Sequence, residues 1–219
     1  MNVIAIDGPA GAGKSTIARA VADRLGFEYL DTGAMYRAVA LAALESGTDL
    51  EDADALTALT ESVDIDHRGD VVKLNGRDVS EVIRGPEVTA AVSKVAAVDG
   101  IRRAMAKMQR ARADAGNLVM EGRDIGSAIV PAADVKIFLT ASKEERARRR
   151  ALQLGLATDE ESLKELSQSI EDRDRSDSER KASPFVKATD AVVVDSTGKD
   201  VETVVDEIAS AALRVIDER

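Results

Sequence analysis

Apolar residues in this chain gather in short, near-continuous runs separated by longer amphipathic stretches. Five runs stand out, at residues 2–7, 27–30, 117–120, 135–140 and 191–195. Continuity, rather than alternation of apolar and polar positions, predicts strands covered on both faces. Helical periodicity occupies 14–25, 34–45, 100–115, 143–154, 160–172 and 201–216. Strands alternating with helices predict βαβ units, a parallel sheet and right-handed crossovers. The expected fold class is α/β.

One stretch breaks the alternation. Residues 63–82 read VDIDHRGDVVKLNGRDVSEV, where Arg68-Gly69-Asp70 and Asn75-Gly76 have the composition of hairpin turns. A small antiparallel sheet inserted into the α/β core is expected there. His67 falls in this hairpin and is expected to face solvent near a turn. A second stretch, RDRSDSERKASPFVK at 173–187, mixes both charge signs with Ser and a Pro, and its plain reading is a solvated loop. No repeat, low-complexity tract or long linker divides the 219 residues, so a single domain is expected.

Composition narrows the chemistry. Cys is absent and there is one His, which excludes a disulfide framework, thiolate zinc, a Cys nucleophile and a multi-His metal site. With 40 acidic against 30 basic residues the net charge is −10, and aromatics are 2%. Nucleic acid is therefore not an expected partner. No apolar run approaches the ~20 residues of a membrane span, so no membrane partner is expected. The start MNVIAIDG lacks the basic region of a secretory signal, and a cytoplasmic location is expected. An anionic substrate must then be held by local Arg and Lys against the overall field.

Residues 8–16 read GPAGAGKST and satisfy G-x-x-x-x-G-K-[ST] through Gly8, Gly13, Lys14 and Ser15. The motif follows a predicted strand and opens a predicted helix, the context that a phosphate-binding loop requires. A loop of Gly8, Pro9, Ala10, Gly11, Ala12 and Gly13 can turn its N–H groups inward as an anion nest. The helix N-terminus at Lys14, Ser15 and Thr16 adds partial positive charge. Lys14 can reach the β- and γ-phosphates of ATP, and the Ser15 hydroxyl can ligate Mg2+. The plain alternative is a Gly-rich turn with an incidental Lys, which the strand-to-helix context disfavours.

A P-loop does not name the acceptor. There is no N/T-K-x-D guanine motif, and the run at 191–195 is followed by Ser196 rather than a second acid. Arg37, Arg102, Arg123, Arg173 and Arg180 instead lie in or beside turn-like segments. Guanidinium groups are natural neutralisers where two phosphate-bearing molecules meet, although any one of these, taken alone, reads equally as a surface Arg. The cluster from Arg146 to Arg150 is expected to form the polar face and C-terminal end of a helix. A kinase for UMP, a nucleoside or shikimate, and a slow nucleotide-dependent switch protein, remain open alternatives.

Taken in order, the segments IDGPAGAGKST (6–16), LDTGAMYR (30–37), SKVAAVDGIR (93–102), EGRDIG (121–126), VKIFLTAS with EERARRR (135–150) and RDRSDSER (173–180) resemble the bacterial-type cytidylate kinase family of nucleoside monophosphate kinases. The resemblance implies a P-loop NTPase three-layer fold with a five-stranded parallel sheet. It also implies a monophosphate-binding insert at about 63–92, a mobile lid at about 155–187, and a monomer. It implies transfer from ATP, with Mg2+, to CMP or dCMP. Thr32, Tyr36 and Arg37 fall where the family grips the monophosphate side, Thr32 standing where many relatives have Ser. Ser93, Arg102 and Asp124 match positions that meet cytosine. Arg123 and Arg180 match phosphate-contacting arginines, and Arg173 and Asp177 match positions near the ribose and the lid. Arg149 is implied on the ATP side. Lys14, Arg123, Arg173 and Arg180 form the implied catalytic set.

The chemistry is consistent with these assignments. Cytosine offers an N4 donor and N3 and O2 acceptors, which suit a carboxylate such as Asp124 and a guanidinium such as Arg102. Uracil turns O4, an acceptor, toward the carboxylate, and an unpaired buried polar group costs about 1–3 kcal/mol. The plain alternative for Asp124 is a turn-capping or Arg-pairing acid. A monophosphate has its second pKa at ~6, so the attacking oxygen is already anionic and in-line transfer requires no general base.

Overall fold

The structure is a computed structural model and describes residues 2–180 and 182–217. Met1, in the start read above, and Lys181, in the 173–187 stretch, lie outside the described residues. Strand β1 (Val3–Asp7) leads into α1 (Lys14–Leu25), and β2 (Glu28–Asp31) into α2 (Thr32–Ser46). Helix α3 (Ala53–Ser62) precedes three short strands, β3 (Ile65–Arg68), β4 (Val71–Leu74) and β5 (Arg77–Asp78). Helices α4 (Pro86–Val95) and α5 (Asp99–Asp114) return the chain to β6 (Leu118–Gly122). Then follow β7 (Val135–Thr140), α6 (Lys143–Leu154), α7 (Glu160–Ser178), β8 (Val192–Asp195) and α8 (Val201–Asp217).

The main sheet has the order β2-β6-β1-β7-β8, and every pairing in it is parallel. Side chains alternate between its two faces. Ile4, Ile6, Val119, Ile137 and Leu139 share a core with Ile17 and Val21 of α1 and Val204 and Ile208 of α8. Val3, Ala5, Leu30, Leu118 and Met120 share the other with Val39 of α2 and Ile101 and Met105 of α5. Both faces are covered, which is why the runs read as continuously apolar. The β3-β4-β5 sheet is antiparallel, as the Asn75-Gly76 turn predicts, with Asn75 at φ 51°.

Several expectations are corrected. β8 is an edge strand, and Val192 and Val193 are 52% and 51% exposed, so only Val194 is covered. Helices α3 and α4 were not anticipated, because their apolar periodicity is short. Their start signals are nonetheless in place: Asp52 accepts from the Ala55 N–H, and Pro86 stands at the first position of α4. The RDRSDSER stretch is not a solvated loop, since α7 continues to Ser178 and Asp177 is buried. His67 does not face solvent. It lies on β3, buried, with its ring edge-on to Tyr29 at 6.1 Å, and burial pushes its pKa down. Arg112 of α5 donates to its carbonyl at 2.6 Å and so pins the hairpin against the core.

Candidate active site

A cavity of about 210 Å³ opens at the carboxyl ends of β1, β2 and β6, where ligand crevices form in open parallel sheets. Its floor is the glycine loop between β1 and α1. Gly8 and Gly11 are at φ 156° and 78°, and a Cβ on them would stand 2.0 Å from the Leu139 carbonyl oxygen and 2.7 Å from that of Arg146. The backbones of β7 and α6 thus press on the loop from behind and leave no room for a side chain. Arg149 braces the same side, donating to the Ala12 carbonyl at 3.0 Å and to Ser196 Oγ at 2.9 Å. Arg146 is buried and donates to the Ala10 carbonyl at 3.1 Å, and the cluster lies mid-way along α6, which corrects the expectation that it forms the polar face and C-terminal end of a helix.

The loop's Lys14 lines the cavity, and its Nζ donates to the Pro9 carbonyl at 2.9 Å. Burial, with Arg123 nearby, pushes its ammonium down to about 7. Ala10, Gly11 and Ser15 also line the cavity, whereas Gly8, Pro9, Ala12, Gly13 and Arg149 form the loop and its support behind it. Thr16 faces a shallower depression beside Arg19 and Arg84.

All ten residues expected on the acceptor side line this one cavity. Thr32, Tyr36 and Arg37 come from α2, Ser93 from α4 and Arg102 from α5. Arg123 and Asp124 follow β6, and Arg173, Asp177 and Arg180 come from α7 and the residues just after it. Arg102 and Asp124 form a buried ion pair, and the Arg102 guanidinium stands over the Tyr36 ring at 5.6 Å. Burial raises the Asp124 carboxyl and Arg102 opposes the rise. Arg180 pairs with Asp177, and Arg123 lies 3.3 Å from the same carboxylate. Arg37 donates to Thr89 Oγ1 at 2.8 Å. Among the described residues, the Nε atoms of Arg102 and Arg173 are buried with no hydrogen-bond partner. Buried orphan donors are costly, and these two belong to side chains that line a cavity able to receive an anionic, polar ligand. Burial and neighbouring arginines lower Arg173 to about 10, so it is still cationic at neutral pH.

Sequence reasoning missed a set of residues that the fold brings to this place. Glu121 is the penultimate residue of β6, lines the cavity together with Ser15 and accepts from the Tyr29 hydroxyl. Burial pushes its carboxyl up to about 7. Asp7 ends β1, accepts from the N–H groups of Ile125 (2.9 Å) and Gly126 (2.8 Å), and is raised by burial to about 6. These bonds anchor the wide helical turn Ile125–Ile129, which fixes the residues following β6. Asp174 bridges the loop to Arg123 and Arg146, and Arg150 lines the cavity. A buried acid at the end of an apolar strand was the available signal for Glu121 and Asp7.

These shifts set a pH dependence. Asp7 and Glu121 bind protons more tightly in the folded chain than when unfolded, so stability of the unliganded protein falls as pH rises from about 4.5 to 6.5. Each contributes a slope of at most about 1.4 kcal/mol per pH unit. Denaturant unfolding at pH 5 and 6.5 should show the fall, and Glu121→Gln should flatten it. A Gln variant with the wild-type slope would contradict the assignment.

A family profile described as cytidylate kinase matches residues 4–214. A cytidylate kinase of Desulfitobacterium hafniense is 48% identical over 210 residues, covering 94% of this chain and 90% of the relative. One from Carboxydothermus hydrogenoformans is 50% identical over 206 residues, covering 92% and 93%. Among solved structures, an uncharacterized protein from Eubacterium ventriosum matches with a TM-score of 0.54 at 15% identity, covering 100% of this chain and 99% of that one, a likeness of fold. No helix among the described residues is long and apolar enough to cross a membrane.

Proposed function

The chain belongs to the cytidylate kinase family, and from that premise we propose how its cavity transfers the γ-phosphoryl group of ATP to CMP or dCMP. The observation that carries the reading is one cavity lined by the glycine loop with Lys14, by the buried Arg102–Asp124 pair and by further arginines. The loop amides and Lys14 hold the triphosphate. Arg37, Arg123, Arg173 and Arg180 take the acceptor phosphate and the charge that spreads over the transferring group. Ser93, Arg102 and Asp124 read the cytosine edge, and Tyr36 supplies an apolar face beside it. Thr32 helps hold the monophosphate end, and Asp177 would accept from a ribose hydroxyl.

Mg2+ fits the acidic corner of the cavity. Glu121 is a buried carboxylate beside Ser15 that burial, and after it the nearby Asp31 charge, keeps from ionising fully, and a cation there would restore its charge. Ser15 and Glu121 would hold the ion, which when bound draws negative charge from the phosphate oxygens. Among the described residues there is no group of three or more His, Cys, Asp or Glu able to form a metal cage, in keeping with an ion that retains waters and phosphate ligands. The acceptor oxygen is anionic at neutral pH, so the chain's task is positioning and charge stabilisation rather than proton removal. Closure of α7 and the residues after it over the cavity would exclude water and limit ATP hydrolysis.

Release of ADP, followed with CMP, dCMP, UMP and AMP in turn, tests the reading. CMP and dCMP should stimulate it strongly and UMP and AMP weakly. Equal stimulation by all four would overturn cytosine recognition, and no stimulation by any would overturn phosphoryl transfer.

A further inference from the structure

Asp174 occupies an unusual place for a carboxylate. It comes from α7, yet one oxygen accepts from the glycine loop's Ala10 N–H at 3.1 Å and from Arg123 at 2.8 Å. The other accepts from Arg146 at 2.6 Å. Its side chain is 16% exposed, and both guanidinium groups are more buried still. A backbone N–H of the glycine loop and two guanidinium donors form the kind of set that binds a phosphate oxygen. Asp174 therefore stands where a donor set suited to an anion is already satisfied from within.

We propose that Asp174 is an internal stand-in for phosphate: it neutralises the donors at the loop end of the cavity and must be displaced when a triphosphate binds. The physical reason is competition. A carboxylate and a polyanion cannot both accept from Ala10 N–H and both lie against Arg123 and Arg146, and their mutual repulsion grows as the cavity excludes water. Without a triphosphate, the carboxylate spares two buried guanidinium groups from being uncompensated, a strongly unfavourable arrangement. The contact also ties α7 to the loop, so triphosphate binding releases the helix that carries Arg173 and Asp177. The inference rests on the glycine loop being the triphosphate site.

The test is calorimetric titration of the full chain with inorganic tripolyphosphate and with ATP, without acceptor, at matched ionic strength. Asp174→Asn, which keeps the shape and removes the charge, should bind tripolyphosphate about tenfold more tightly than wild type, the equivalent of losing one competing charge-assisted contact. Its unliganded thermal midpoint should fall by several degrees, and the rise on adding tripolyphosphate should exceed that of wild type. Binding that is unchanged or weaker in Asp174→Asn would overturn the proposal. If that variant does not fold, the wild-type protein labelled with 13C at Asp carboxyls decides: tripolyphosphate should move the Asp174 resonance, and an unmoved resonance at saturation would overturn the proposal. Lys14→Ala, titrated alongside, keeps the premise separate. Undiminished binding there would remove the loop as the triphosphate site, whereas lost binding there with no gain in Asp174→Asn would sink only the role of Asp174.

Discussion

Replacing Lys14 by Ala should lower turnover with CMP by about 10²–10³-fold, the loss typical of removing one preorganised donor from a developing charge. Lys14 is half-buried, lines the cavity, and has a loop carbonyl as its hydrogen-bond acceptor. Among the described residues it makes no ion pair that the substitution would break. Its ammonium is pushed down to about 7 from 10.5, so burial costs the unliganded fold stability below that upper value, and removing the charge should leave the thermal midpoint unchanged or higher. Steady-state kinetics beside thermal unfolding check both halves. Turnover within about tenfold of wild type would take Lys14 out of the transferring machinery; lost turnover together with a collapsed midpoint would make it a structural residue instead.

Asp124→Asn should narrow the preference for CMP over UMP by at least about tenfold. A hydrogen bond to a charged group contributes roughly 1.5–3 kcal/mol, so kcat/KM for CMP falls by about 10–150-fold. UMP gains, because the Asn amide can donate to O4 where a carboxylate repels it. Asn is the informative substitution here. Asp124 is buried against Arg102, and Ala would leave that guanidinium without its partner, which typically costs 3–5 kcal/mol of stability. Kinetic constants for both acceptors check this. An unchanged ratio would move base recognition to other residues and leave Asp124 as the partner of Arg102 alone.

What was legible in the sequence was what local chemistry decides. The glycine loop could be read because its function lies in its own backbone, and the buried strands because parallel sheets covered on both faces leave continuous apolar runs. The ends of β7, α1 and α6 fall where the pattern places them. What was not legible depends on contacts between distant segments. Asp174 meets Ala10 across 164 positions and Arg146 meets Ala10 across 136, so charges that look solvated in the sequence are paired with each other against the glycine loop. The length of α7 follows from the same fact, since its last turn carries Asp174 and Asp177, and both are held by arginines from other segments. His67 was misplaced because a hairpin turn marks where the chain reverses, and gives no sign of which face lies on a helix. Val192 and Val193 were misplaced because an apolar run does not say whether its strand has one neighbour or two. Family resemblance added the residues expected on the acceptor side, arginines and acids together with Thr32, Tyr36 and Ser93, which share no local pattern.

Transfer of label from ATP carrying 32P at its γ-phosphorus tests the central claim most directly. With Mg2+ and CMP present, label should appear in CDP in step with the ADP formed, and little should appear as inorganic phosphate. Label that is released as inorganic phosphate, or that stays in ATP whatever the CMP concentration, would contradict the account.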